Sequence, residues 1–235
     1  ANENSLPYPV DDSLNKALSL TSFRDIYKRQ LLQVDGLKDG MYSLFITNAL
    51  IGRFSSQELS TGINLAKKTG ARLHVFHLST AKETALFSNK KALKDKKITA
   101  EVCIHHLWFS EEDYEEKGTL IKWNPAVKSA QDRDAIFQAV LDNKIDVVAT
   151  DHAPHTLKEK SLDYWRAPSG GPLVQHALVS MIEHYKNGKI SLERIVEKMC
   201  HAPADMFDID NRGYIKAGFK ADLVILDLEN EWEVT

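Results

Sequence analysis

Three short apolar runs, each ending in a turn that carries imidazole or carboxylate groups, restrict this chain more than any other feature. They are Arg72-Leu73-His74-Val75-Phe76-His77-Leu78, Ile98-Thr99-Ala100-Glu101-Val102-Cys103-Ile104 and Ile145-Asp146-Val147-Val148-Ala149. Helical patterns alternate with them. Ser55 and Ser56 can cap a helix over 57–69 that Gly70 ends. The spacing predicts a second helix from Ala81 to about Leu93, with Leu86 and Leu93 on its buried side. Ser129 can cap a third, with Asp132 at the capping-box position and Ala135, Ile136, Ala139 and Val140 on one face. Asp142-Asn143-Lys144 breaks it before the last run. Strands alternating with helices predict a parallel sheet with helices outside it.

The polar ends of these runs then fall at one edge of the sheet. His77 closes the first, His105-His106 the second, and Thr150-Asp151-His152-Ala153-Pro154-His155 follows the third. The C-terminal mouth of a strand is where open α/β sheets and β/α barrels place their chemistry. Asp and His are also ligands that suit zinc. The competing reading of each is structural: a polar turn after a strand, or a satisfied core histidine. His74 lies on the first run but before its end, and reads as structural.

Bulk composition narrows the classes. The chain has 235 residues, 43% of them hydrophobic, enough for a real core. A formal net charge of −3 argues against a nucleic-acid or membrane-surface protein. No apolar run approaches the ~20 residues a membrane span needs. No secretory signal is visible at Ala1-Asn2-Glu3-Asn4. Two cysteines, Cys103 and Cys200, without a CxxC pair, make a reducing cytoplasm the expected home and a cysteine zinc site unexpected.

Past Gly170-Gly171 the character changes. Leu173 to Tyr185 and Leu192 to Met199 read as helices, ended by Gly188 and capped by Ser191 respectively. His201 to Phe207 reads as a short helix with Pro203 in its first turn. Gly213-Tyr214-Ile215 and Ala221 to Leu226 read as two short strands of another layer. Residues 1–54 are the least readable, with a helix over 13–32 and a strand over 41–46 as candidates.

Taken in order, His77-Leu78-Ser79-Thr80, His105-His106-Leu107, Lys122-Trp123-Asn124-Pro125, Asp132-Arg133 and Ala149 to His155 resemble dihydroorotase. Gly213 to Val224 resembles the tail of cyclic amidohydrolases, and Ala167-Pro168-Ser169-Gly170-Gly171-Pro172 a loop that faces substrate there. The resemblance covers about residues 55–235. It implies an α/β fold: the C-terminal part of a TIM-like (β/α)8 barrel, strands six to eight over 55–207, with part of a small β-sandwich over 208–235. Residues 1–54 would be remnants of earlier strands. It implies zinc, one or two ions per complete site, and reversible hydrolysis of dihydroorotate to N-carbamoyl-aspartate. His77 matches a metal ligand and Asp151 a metal-binding carboxylate that shuttles the catalytic proton. Asn124, His155 and the backbone at Gly170 match substrate-binding positions. Implied partners are the small substrate, a second copy in a homodimer, and aspartate transcarbamoylase.

The chain departs from the family pattern in one respect. The family's first ligands are a His-x-His pair, and no histidine precedes His74. Of the expected ligands only His77 and Asp151 are visible, whereas zinc takes about four. The expectation is a fragment, or a chain lacking stretches of its parent. Two alternatives stand beside dihydroorotase: an allantoinase or hydantoinase, and a metal-free scaffold.

Overall fold

The computed structural model describes residues 56–231, so the candidate elements over 1–54 lie outside the described residues. Helix α1 (Ser56–Thr69) buries Leu59, Ile63 and Ala66, residues spaced to share one face. Gly70 ends it at φ 76°, and its N–H bonds Ala66 O. Strands β1 (Leu73–Val75), β2 (Ile98–Cys103) and β3 (Val147–Ala149) form one parallel sheet in the order β1-β2-β3. Leu73 pairs with Ile98, Glu101 with Val147 and Cys103 with Ala149. Paired residues share a sheet face, so the register settles what each side touches. Leu73, Val75, Ala100, Val102 and Val148 join the main core with Leu59 and Ile63. On the opposite face Val147 packs against Ala202, Met206 and Leu93.

Helix α2 (Ala81–Thr84) stops well short of the expected Leu93. Thr80 and Glu83 close a capping box at its start. Beyond it, side chains take over the backbone's role: Lys90 N–H bonds Ser88 Oγ at 3.2 Å, and Asn89 Nδ2 bonds Asp142 O at 2.9 Å. Such local bonds compete with the helix ladder. Phe87 enters the core, with Leu86 packed beside it, and a 3-10 turn at Leu93–Asp95 leads to β2.

Helices α3 (Ile104–Trp108) and α4 (Tyr114–Lys117) follow β2, and α5 (Ala130–Leu141) precedes β3. Ser129 caps α5 as expected, accepting from Asp132 N. The Asp132 carboxylate does not complete a capping box. It accepts from Ser129 Oγ at 2.7 Å and from Ala81 N at 2.8 Å, tying the starts of α5 and α2 together. At the opposite end of the sheet, Asp146 accepts from Lys96 Nζ at 2.6 Å and Ala100 N at 3.1 Å. Buried Lys198 donates to Asn143 Oδ1 at 2.8 Å and Ile145 O at 2.9 Å.

Helix α6 (Leu157–Lys160) lies in the loop after β3, and α7 (Val174–Lys186) and α8 (Leu192–Val196) follow. The helix read over Leu192 to Met199 changes to a π turn at Glu197–His201 and continues as α9 (Ala202–Met206). The two strands expected over 213–226 are not formed. Among the described residues nothing pairs with them, and a lone extended segment has no ladder to join. Ile225 is 97% exposed. No helix among the described residues is long and apolar enough to cross a membrane.

Candidate active site at the strand ends

The C-terminal ends of the three strands gather the groups read from the sequence. His77 follows β1 at φ 39° and Asp151 follows β3 at φ 49°. Non-glycine residues seldom adopt this left-handed region, and those that do cluster at sites. The two sense each other's charge: Asp151 holds the His77 pKa up, and His77 holds that of Asp151 down. Burial outweighs both, so His77 titrates below its ordinary range and Asp151 above. Glu101, on β2 between them, opposes the ionisation of Asp151 and favours the charging of His77. Its carboxylate lies 3.1 Å from His74 Nε2, which gives His74 the structural place expected for it.

His105 and His106 are buried under the sheet end. His105 is 1% exposed, stacks on Trp123 with ring centroids 4.4 Å apart, and has no partner on either ring nitrogen among the described residues. His106 Nε2 sits 3.1 Å from Pro125 O. Burial drives the His106 pKa down to about 3 and takes that of His105 well below its usual value. Both therefore stand as neutral packing groups beneath the mouth. Cys103, fully buried between Glu101 and Asp151, is held as the thiol.

The expected substrate-binding residues lie on three loops, 122–125, 151–155 and 167–172, the last bonded to both others. Asn124 is half-buried between Trp123 and Pro125. His155 Nε2 lies 3.1 Å from Ser169 O, which joins the Asp151 loop to the Gly170 loop. Gly170 takes φ 126°, and a Cβ there would stand 2.5 Å from Ala153 O. A Cβ on Gly171 would stand 2.9 Å from Trp123 Cζ2. Only glycine allows this approach. His152 accepts from Val174 N at 3.1 Å, so it holds the loop against α7.

Sequence reading missed three participants. Trp123 lay inside a quoted motif without a role. Glu101 was legible as an acid in an apolar run. Lys160, in the string Leu157-Lys158-Glu159-Lys160, reads as a solvated lysine but is 4% exposed.

His77 and Asp151 have the chemistry of metal ligands, and His77 Nδ1 is buried with no partner among the described residues. Yet among those residues no three His, Cys, Asp or Glu side chains lie close enough to hold a metal ion. The described residues therefore offer part of a ligand set.

Residues 42–234 match the model of the amidohydrolase family. The chain belongs to that family. Its strand-end site accordingly sits on a TIM-barrel-type α/β fold, in a family that implies a metal. The dihydroorotase of Halobacterium salinarum is 38% identical over 172 residues, which are 73% of this chain and 39% of that protein. That of Carboxydothermus hydrogenoformans is 40% identical over 166 residues, 70% and 38% respectively. Among solved structures, the L-hydantoinase (dihydropyrimidinase) of Arthrobacter aurescens superposes with a TM-score of 0.70 at 29% identity, covering 76% of this amidohydrolase and 41% of that chain. A Saccharomyces cerevisiae dihydroorotase, in complex with 5-fluoroorotic acid, shares the fold at a TM-score of 0.59 and 17% identity, covering 66% and 43%. The chain spans about two fifths of the length of the curated relatives it matches.

Proposed function

We propose that this amidohydrolase takes part in the reversible hydrolysis of a cyclic amide, with dihydroorotate and N-carbamoyl-aspartate as the pair interconverted. The observation that supports the reading is the mutual charge effect of His77 and Asp151 at one sheet end, with the Gly170 loop bonded to the loops of Asn124 and His155, in a chain similar to dihydroorotases. The three strands would be the sixth to eighth of a barrel, and 208–235 would contribute to a β-sandwich. Zinc is the metal proposed. His77 and Asp151 would hold it, with the other ligands supplied from outside residues 56–231. When bound, zinc lowers the pKa of water to about 7 and polarises a carbonyl.

The chain's own groups then divide the work. The Asp151 carboxylate takes a proton from the attacking water and returns it to the ring nitrogen that leaves. A carboxylate held beside a cation can do this without a large rise in pKa. Asn124 offers a donor and an acceptor to the ureide edge of the ring. His155 Nε2–H goes to Ser169 O, so its Nδ1 donates to the substrate carboxylate when the ring is protonated.

The test is turnover of dihydroorotate, allantoin and dihydrouracil by zinc-loaded protein, with zinc per chain measured on the same sample. About one or two zinc ions and turnover confined to dihydroorotate are expected. Turnover of dihydrouracil instead would favour a hydantoinase, the reading the L-hydantoinase superposition supports. A folded chain without zinc or turnover would favour the scaffold, for which aspartate transcarbamoylase or a second copy would be the partner to test.

A further inference from the structure

Two loops meet, one over 122–125 and one over 167–172; Lys122 Nζ reaches Ala167 O at 2.6 Å, and the buried Lys160 ammonium lies between the loops. Lys160 Nζ donates to Lys122 O at 3.1 Å, Pro168 O at 3.1 Å and Gly170 O at 2.9 Å. An ammonium has three N–H donors, so all three are used. Lysine is rarely buried unless paired, and here the ammonium is held by carbonyl dipoles of the two loops. Its own backbone is fixed as well, because Thr119 Oγ1 donates to Lys160 O at 2.5 Å. Gly170 N–H returns to Lys122 O at 3.0 Å, and the Trp123 ring lies 6.0 Å from the ammonium.

We infer that Lys160 is a positioning residue whose ammonium sets the separation of the Asn124 and Gly170 loops, and thereby the slot that receives the substrate ring. The mechanical part stands on the three bonds. The functional part rests on the cyclic-amide reading above. Without the ammonium, the Pro168 and Gly170 carbonyls would be short of a donor, and Lys122 O would keep only the Gly170 N–H. The loops would part to admit water. Asp151 follows β3 directly and would keep its place, so the loss would fall on binding before chemistry.

The experiment is hydrogen–deuterium exchange on the full chain and on K160M, with KM and kcat for dihydroorotate alongside. Amides over 167–173 and that of Ala153 should exchange at least about tenfold faster in the variant, with Val102 and Val148 unchanged. KM should rise about tenfold with kcat within about twofold. Unaltered exchange over 167–173, or an equal rise in β2, overturns the clamp. A fall in kcat at constant KM overturns the positioning role. If the wild-type chain turns over no cyclic amide, exchange alone decides the clamp, and the functional reading is what fails. Should K160M not fold, nitrogen-15 NMR of the wild-type lysine ammoniums decides. A solvent-protected signal coupled to the carbonyls of Lys122, Pro168 and Gly170 supports the clamp, and a freely exchanging Lys160 signal overturns it.

Discussion

His77 and Asp151 hold positive φ angles that their side chains do not favour. Residues in such conformations cost of order 1–3 kcal/mol each and persist where the surroundings impose them. Replacing Asp151 by Asn keeps that shape and removes the base. In an active, zinc-loaded protein kcat/KM should fall by about 10²–10⁴ with circular dichroism unchanged, and near-normal turnover would take Asp151 out of the mechanism. The buried histidines give a second expectation. Burial lowers His106 to about 3 and His184 to about 4, against an ordinary value near 6.5 in the unfolded chain. Below about pH 6.5 the unfolded chain therefore binds protons that the folded chain refuses, and stability falls as pH falls. Asp146 and Asp151, shifted upward, act in the opposite sense at lower pH. His184, packed between Trp108 and Phe137, can be tested alone. His184→Phe should flatten the loss of urea midpoint between pH 6.5 and 4.5 by about one proton's worth, and an unchanged slope would mean that His184 already takes up its proton when folded.

Helices and strands here are joined by side chains that a local reading undervalues. Asp132 was legible as a helix-start residue through its spacing from Ser129. Its second bond, to Ala81 N, spans 51 residues of sequence and could not be read. Asp132→Ala should cost about 1–2 kcal/mol in denaturant unfolding, and loosen proteolytic access to the turn after His77; wild-type stability would reduce that bond to a bystander. At the far end of the sheet, Asp146→Ala would leave Lys96 buried without its carboxylate. Such a break costs about 3–5 kcal/mol, a loss that equilibrium unfolding can measure. Strand positions, caps and stops were readable because period and turn chemistry are local. The length of α2 was not, since Ser88 and Asn89 redirect the backbone through bonds that an apolar count ignores. Nor was the state of 213–226, whose strand pattern needs a partner that pattern alone cannot supply.

At the scale of the molecule, chemistry and anchorage occupy opposite ends of one sheet. His77 and Asp151 lie past the strand C-termini and Cys103 ends β2, while Asp146 with the Lys96 and Lys198 ammoniums lies before β3. Every candidate group from His77 to Gly171 is encoded in one uninterrupted stretch, and the one histidine ahead of it in the sequence, His74, is bonded to Thr99 and Glu101. On the proposed reading, ring recognition and proton handling travel together along the gene, apart from most of the metal's ligands. A recombination event at the boundary before α1 would move substrate preference between related barrels as a unit, leaving the recipient's own ion and most of its ligands in place.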